Sequence, residues 1–195
     1  MDLKAITIAD DEQFLRQVSK TVDFNDKSYL DDIELLGEYC ANHEVFAMAA
    51  VQLGIPKRII YLRNTKLEKV EDKEWNEARV LINPVIKKRI GYTKYWEACA
   101  SCLDNTGLVA RPYKIELEYY DIEGKKRNCT FKDFEATVLS HEYDHLNGIL
   151  HMDIAEEVLV MTKEERKEFR LTHGYDIYHK MGSYDNYVEK ERVKK

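Results

Sequence analysis

Apolar residues recur with a helical period in two stretches of the chain. Between residues 26 and 42 they fall at i, i+4, i+7 and i+11, with acidic residues between them, and this face consists of Tyr29, Ile33, Leu36 and Cys40. The same spacing returns between residues 133 and 148, on the face Phe134, Val138, His141 and His145. We therefore predict two amphipathic helices, the second with two histidines on its apolar face.

Between these helices the pattern changes to short apolar runs bounded by turn residues, which is typical of strands. The runs are 46–51, 58–62 and 80–86, the last interrupted by Asn83-Pro84. Residues 114–120 alternate apolar and acidic side chains, and a Glu123-Gly124 turn separates them from 128–131, so a hairpin is expected. The predicted fold is α+β, with antiparallel strands packed around the helix at 133–148 and further helices near both termini.

The last forty residues contain one clear helix signal. Thr162 and Glu165 form a capping box, and Gly174 follows the expected end of that helix. The final residues, 184–195, are polar and are expected to be mobile. No Gly/Ser-rich or low-complexity linker divides the 195 residues, so one core is the expectation.

Charge and cysteine content narrow the class of protein. Thirty Lys and Arg against 36 Asp and Glu give a net charge of −6 without a basic cluster, which disfavours nucleic acid as a stable partner. The four cysteines follow an N-terminus without a basic and then apolar leader, which predicts a cytoplasmic protein with reduced thiols. The longest run without a charged residue, 45–56, has twelve residues, too few for a membrane span.

The segment 141–145 carries an H-E-x-x-H pattern on a predicted helix. His141 and His145 lie one turn apart, so their imidazoles can bind one metal ion. Glu142 lies about a quarter turn away, where it can reach a water molecule on that ion and act as a general base. The pattern predicts a hydrolytic metal site that needs at least one further protein ligand.

The pair Cys99-x-x-Cys102 can supply that ligand in more than one way. If both cysteines join both histidines, the site is a closed structural zinc centre, although the long loop to His141 and the presence of Glu142 disfavour it. If the two cysteines form a redox-active dithiol, a βαβ unit is expected around them, and the surrounding sequence shows no clear pattern of that kind. In the remaining alternative one cysteine is the ligand and the other is a buried structural thiol.

Three segments resemble the signature motifs of the peptide deformylases, in that family's order. Residues 140–148 match its Q-H-E-x-D-H-L helix, except that serine replaces glutamine at position 140. Residues 97–101 read Glu-Ala-Cys-Ala-Ser where the family has E-G-C-L-S. Residues 45–52 keep the Ala-Ala-x-Gln of G-x-G-L-A-A-x-Q without its two glycines. The resemblance implies a catalytic domain at 1–155 and a C-terminal helix and polar tail at 156–195, within that domain or appended to it.

The resemblance implies a metal-dependent hydrolase that removes the formyl group from formyl-methionyl peptides of newly made proteins. Its metal ligands would be Cys99, His141 and His145, with iron(II) as the cellular metal and zinc, nickel or cobalt possible in a purified sample. Glu142 would be the general base and then the general acid. The side-chain amide of Gln52 and the backbone N–H of Ala100 would stabilise the oxyanion.

The family's mode of peptide binding implies a further set of residues. The substrate adds as a strand beside the first two motif segments, which include Ala47 and Glu97, and its methionine side chain enters an apolar pocket. The pocket candidates are Phe46, Tyr95 and Val138. Glu97 and Arg111 are also candidates for orienting the site through charge-assisted hydrogen bonds. Formyl-methionyl peptides imply proximity to the ribosome.

Departures from the family pattern keep two alternatives open. Val45, Ala47 and Ala98 add side chains where the family has glycine, so the cleft is expected to be reshaped. One alternative is therefore a deformylase-like metal-binding protein with an altered substrate or no activity. The other is a zinc protease with a third ligand from farther along the chain, for which the candidates are His151, Glu156 and Glu157.

Overall fold

The computed structural model describes residues 3–43, 45–63 and 80–193. The chain divides into two compact units, each assembled from three segments. The first comprises Met1–Val85, Glu118–Asn128 and Glu142–Ile149, and the second Ile86–Leu117, Cys129–His141 and Leu150–Lys195.

The first unit begins with helices and continues into antiparallel strands. Its elements up to residue 62 are α1 (Ile8–Leu15), α2 (Tyr29–Asn42), β1 (Ala47–Ala49), a 3-10 helix (Ala50–Leu53) and β2 (Ile59–Leu62). β1 pairs antiparallel with β2, and β2 pairs antiparallel with the start of β3 (Val80–Ala98). The predicted strand at 46–51 is wrong in its second half. There Gly54, at φ 81°, ends the turn of 3-10 helix that replaces it.

Helix α2 confirms the helix predicted at 26–42. Two acidic residues, Asp31 and Asp32, lie in its first turn, where the helix dipole favours negative charge. Its apolar face is buried through Tyr29, Leu36, Tyr39 and Cys40. This face packs in a cluster with strand residues such as Met48, Ile59 and Ile82, which form the core of the first unit.

Strand β3 continues to Ala98, well beyond the predicted strand at 80–86, and it passes through Asn83-Pro84 without a break. The Asn83 side chain substitutes for a neighbouring strand at this point. Its Oδ1 accepts a hydrogen bond from the Val22 N–H at 2.8 Å and its Nδ2 donates to the Val22 carbonyl at 3.1 Å. The Asn83 side chain and the backbone of Val22 therefore satisfy each other's hydrogen bonds, and the turn expected at Asn83-Pro84 does not form.

The second unit is built on the rest of β3. Residues 93–98 of this strand pair antiparallel with β4 (Asn105–Arg111), which pairs in turn with β7 (Glu157–Val160). β5 (Lys114–Tyr120) pairs with β6 (Lys126–Lys132), which confirms the predicted hairpin. The mixture of helices and antiparallel strands confirms the predicted α+β class.

Helix α3 (Phe134–His145) confirms the helix predicted at 133–148 and contributes residues to both units. After it the chain turns at Gly148, whose φ is 72°. A Cβ at this glycine would lie 2.1 Å from the carbonyl oxygen of Arg16, so only glycine fits the turn.

The C-terminal segment contains more secondary structure than predicted. The capping box of Thr162 and Glu165 starts α5 (Lys163–Thr172) as expected, after the short helix α4 (His151–Ile154). The strand β8 (Asp176–Ser183) was not predicted; it pairs with β3 and leads into the helix α6 (Tyr184–Val193). Aromatic side chains pack at this end: Tyr178 meets Tyr92 edge to face, Tyr184 stacks on it and Tyr187 lies tilted against it. Among the described helices, none has the length and apolar content needed to cross a membrane.

Candidate active site

The two histidines and the glutamate of the H-E-x-x-H motif are buried on α3. His141 is 9%, Glu142 6% and His145 0% exposed. The motif occupies the inner face of an amphipathic helix, so its polar groups point where water is scarce and partners are needed. Ser140, at the position where the family has glutamine, donates its hydroxyl hydrogen bond to the Ala136 carbonyl at 2.7 Å.

Cys99 directly follows the long strand β3 and is the N-cap residue of a short 3-10 helix (Ala100–Cys102). Its Sγ accepts a hydrogen bond from the backbone N–H of Ser101 at 3.4 Å. One ligand atom each from Cys99, His141 and His145 lie within 4.8 Å of one another. Among the described residues, these three are the His, Cys, Asp or Glu side chains that lie close enough together to hold one metal ion.

This geometry includes one of the two cysteines and leaves out the other candidate third ligands. Cys102 is fully buried but does not belong to the group, as the alternative of one ligand and one structural thiol requires. Of the downstream candidates, His151 has its ring centroid 5.7 Å from that of His141, yet neither it nor the two glutamates joins the group. A thiolate with two imidazoles suits a divalent transition metal and leaves a coordination position open to water.

His141 is oriented for metal binding by Glu97. The Nδ1 atom of His141 lies 2.8 Å from Oε2 of Glu97, so Nε2 is the atom presented to an ion. Burial disfavours a proton on His141, but the Cys99 and Glu97 side chains outweigh it and raise the pKa of His141 well above its ordinary value. A proton and a metal ion therefore compete for this imidazole.

Glu97 is itself held by a buried arginine. Nε and Nη2 of Arg111 donate to the two carboxylate oxygens at 2.7 and 2.9 Å, and both side chains are about 95% buried. Burial alone would raise the pKa of Glu97, but the charges and hydrogen bonds of Arg111 and His141 hold it well below the ordinary range. Arg111, Glu97 and His141 thus form one chain of charge-assisted hydrogen bonds that ends at a candidate metal ligand.

The two predicted oxyanion donors are placed by short 3-10 helices. Gln52, 2% exposed, accepts a hydrogen bond at Oε1 from the Ala49 N–H at 3.0 Å, which leaves Nε2 as the donor of that amide. Ala100 is exposed and is the first residue of the 3-10 helix that follows Cys99. Its backbone N–H is one of the orphan donors of a helix start.

The side chains that replace the family's glycines cause no backbone strain. Among the described residues, the non-glycine positions with positive φ are Asn83, Leu103 and Asp133. Val45, Ala47 and Ala98 are not among them, so these positions do not require the left-handed conformation that favours glycine.

The remaining candidates lie on the elements expected of them. Phe46, 36% exposed, directly precedes β1, and Ala47 is the first residue of that strand and pairs with Leu62. Tyr95 lies on β3 and Val138 on α3, and both are half-buried. Two aromatic partners of Tyr95 were not predicted as site residues. Phe134 shares the helix face of Val138 and could have been found from it, whereas no sequence signal pointed to Tyr175.

Comparisons with known proteins agree with this site. The family model described as polypeptide deformylase matches residues 3–159. The chain is 38% identical over 157 residues to the peptide deformylase of Pelagibacter ubique, covering 78% of this chain and 86% of that protein. A crystal structure of a probable peptide deformylase from Synechococcus phage S-SSM7 matches with a TM-score of 0.65 and 32% identity, covering 78% of this chain and 99% of that one.

A second solved structure, a peptide deformylase from Synechococcus elongatus, matches with a TM-score of 0.67 and 27% identity. It covers 89% of this chain and 86% of that one. The matched residues include the whole of the Cys99, His141 and His145 group. The chain belongs to the polypeptide deformylase family.

Proposed function

We propose that this chain removes the N-formyl group from formyl-methionyl peptides of newly made proteins, with Cys99, His141 and His145 as its metal ligands and iron(II) as its cellular metal. The observation that carries the proposal is the convergence of the three ligand atoms within 4.8 Å, directly beside Glu142 in the sequence of α3. Family membership supplies the reaction, and this group supplies the means of carrying it out.

A divalent ion held by these ligands supplies Lewis-acid activation of water and of the formyl carbonyl. Glu142 takes the proton of the attacking water at its carboxylate. The same carboxylate later delivers that proton to the departing α-amine, so one side chain serves as base and then as acid. Glu142 is buried, which keeps this carboxylate away from bulk water.

The negative charge that develops on the formyl oxygen needs hydrogen-bond donors. We assign the Nε2 amide of Gln52 and the backbone N–H of Ala100 to this task. The hydrogen bond from the Ala49 N–H to Gln52 fixes which end of the amide is the donor, so no reorientation is needed when the charge appears. The Ala100 N–H is a backbone group, so the replacement of the family's leucine by alanine leaves the donor unchanged.

Glu97 acts through His141. Both of its oxygens are engaged by Arg111 and His141, which supports the orienting role that the sequence analysis gave it rather than direct contact with substrate. The peptide would pair with the segments that contain Ala47 and Ala98, and its first side chain would enter a pocket that includes Phe46, Tyr95 and Val138. Newly made formylated chains arise at the ribosome, so we place the reaction in the cytoplasm.

Formate release from formyl-Met-Ala-Ser tests the proposal. The protein is purified without oxygen and loaded with iron(II), because an iron–thiolate site is easily oxidised. We expect catalytic formate release by the wild type. Binding of one metal ion per chain without formate release would contradict the proposal and favour a deformylase-like protein with another substrate or none.

A further inference from the structure

Three aromatic rings meet near the N-terminal end of α3, on the helix face that carries His141. Tyr95 of β3, Phe134 of α3 and Tyr175, which precedes β8, pack edge to face with centroid distances of 5.1, 5.6 and 6.3 Å. We call these three residues the aromatic cluster. Phe134 keeps 41% of its surface exposed, so the cluster reaches the protein surface and is not part of a sealed core.

The cluster lies at a fixed distance from the metal ligand on the same helix. Phe134, Val138 and His141 are at i, i+4 and i+7, so their side chains share one face. Seven residues of α-helix span about 10 Å along the axis. A formyl group at the metal site and a long unbranched side chain can bridge this distance together. The cluster therefore stands where the deep end of a substrate pocket is required.

Tyr175 is held in place from both sides. Before it, Arg170 of α5 donates from Nε to the Trp96 carbonyl of β3 at 3.1 Å. After it, Asp176 is the first residue of β8 and pairs with Lys94 of β3. The Tyr175 ring is thus fixed against β3 by two anchored elements. Because the ring is already ordered in the fold, substrate binding does not have to restrict its side-chain conformations.

The phenol end of Tyr175 points into the unit. Its hydroxyl oxygen is buried, and the nearby hydroxyl groups belong to Thr93 and Thr137. Thr137 lies directly before Val138 on α3, so this hydroxyl meets the helix at the level of the pocket candidates. The polar end is turned inward, and the ring faces Tyr95 and Phe134.

We propose that Tyr175 is a specificity-determining residue whose ring closes the deep end of the pocket for the first side chain of the formylated peptide. The inference rests on the proposed function. Tyr175 lies outside residues 3–159, which the family model matches, so the C-terminal segment adds to the pocket something that the matched region does not contain.

The chemistry of the cluster fits a slender thioether. Methionine sulfur makes favourable contacts with the edges and faces of aromatic rings, and its unbranched side chain adapts to a narrow space. A phenylalanine side chain would need the volume that the Tyr175 ring occupies. Removing that ring should therefore shift the preference from methionine towards larger side chains.

Peptide binding to the iron-loaded chain tests this directly. Dissociation constants for formyl-Met-Ala-Ser and formyl-Phe-Ala-Ser are measured by calorimetry in a Glu142→Gln background, which prevents turnover. Tyr175→Ala is compared with Tyr175→Phe, which keeps the ring, and with Tyr178→Ala. Tyr178 is a matched control on β8, 54% exposed, with its ring against Tyr92.

Tyr175→Ala should raise the Phe-to-Met affinity ratio by about tenfold or more, the usual effect of space gained or lost in a hydrophobic pocket. Tyr175→Phe and Tyr178→Ala should leave the ratio within about twofold of the parent, since both retain the cluster's rings. Tyr175→Trp, whose larger ring fills the pocket, should weaken methionine binding and leave binding of formyl-Ala-Ala-Ser unchanged. It keeps the test decisive if the alanine variant does not fold.

An unchanged ratio in folded Tyr175→Ala would overturn the inference, as would the absence of binding of either peptide to the parent. Formate release, measured in parallel with Glu142 restored, separates this result from a failure of the proposed function. If the peptides bind with the expected ratios and no formate appears, the pocket assignment stands and the proposed reaction fails. If formate is released normally and the ratio does not respond to Tyr175, the pocket assignment fails alone.

Discussion

A single buried carboxylate links the stability of this protein to its chemistry. Glu97 accepts hydrogen bonds from Arg111 at both oxygens, and one of these oxygens also contacts the imidazole of His141, the proposed metal ligand. Buried ion pairs are costly to form and still more costly to break, because the remaining charge stays away from water. This makes Arg111 a residue whose loss should be felt in folding before it is felt in catalysis.

Arg111→Met should lower the free energy of unfolding by about 3–5 kcal/mol, since it leaves the Glu97 charge buried with one partner fewer. Urea denaturation followed by circular dichroism measures the change. The control is Lys114→Met, which removes a partly exposed pair with Glu116 and should cost at most about 1 kcal/mol. An equal loss of unfolding free energy in the two variants would show that the buried pair of Arg111 and Glu97 stabilises the protein no more than the exposed pair does.

The two cysteines give a sharp test of the ligand set. Cys99→Ser should reduce metal content from one ion per chain to a small fraction, because a serine hydroxyl is a poor substitute for a thiolate. Cys102→Ser places a hydroxyl at an equally buried neighbour and should retain the metal. Metal analysis of the dialysed proteins decides the matter, and retention of metal by Cys99→Ser would remove Cys99 from the site.

Glu142→Gln should separate metal binding from turnover. The amide keeps the shape of the side chain but cannot take a proton, so we expect formate release to fall by about 10²–10⁴-fold, the usual contribution of a general base. Metal content should stay at the wild-type level. Near-normal turnover in a metal-replete variant would assign proton transfer to another group.

At the residue scale, the sequence pointed to part of the site. The spacing of His141 and His145 predicted the metal pair from helix geometry alone, but the choice of Cys99 over Cys102 came from the family resemblance. The contact of Tyr175 with Tyr95 had no sequence signal, because it joins the C-terminal segment to a strand 80 residues earlier. Such contacts depend on the tertiary fold and not on local periodicity.

Among the elements, periodic segments were predicted well and interrupted segments poorly. The helices α2 and α3 and the β5–β6 hairpin were found because one face of each is apolar over many residues. The strand predicted at 80–86 ended before the charged residues 87–89, where the apolar run stops, whereas β3 continues to Ala98. The prediction also placed an interruption at Asn83-Pro84, because it could not include the hydrogen bonds between Asn83 and Val22. The β8 strand was missed because its residues are exposed and lack alternation.

The turn after α3 offers a test at this scale. Gly148→Ala should destabilise the protein by more than the ~1–2 kcal/mol of a left-handed alanine, because the new Cβ also meets the Arg16 carbonyl. Gly174→Ala is the matched control, since no atom lies within 4 Å of its Cβ position and its φ is not in the left-handed range. Thermal unfolding of both variants measures the difference in stability. A Gly148→Ala protein as stable as the wild type would mean that the turn does not have the left-handed conformation and the close contact with Arg16.

On the scale of the whole molecule, the family match and the fold assign the reaction, while this chain's own residues decide how it proceeds. The alanines and valine that replace the family's glycines lie in unstrained backbone, and the ligand group with its supporting Glu97–Arg111 pair is complete. The C-terminal segment beyond residue 159 is anchored to β3 through β8 and Arg170. The molecule therefore combines the Cys99, His141 and His145 group with a C-terminal segment that lies beyond the residues matched by the family model.

The most direct measurement is formate release from formyl-Met-Ala-Ser as iron(II) is added in steps to metal-free protein without oxygen. We predict that the rate rises in proportion to bound metal and reaches its plateau at one ion per chain, as a single site made of Cys99, His141 and His145 requires. A protein that binds one ion and releases no formate, or a rate that is independent of metal, would contradict the assignment of this chain as a metal-dependent deformylase.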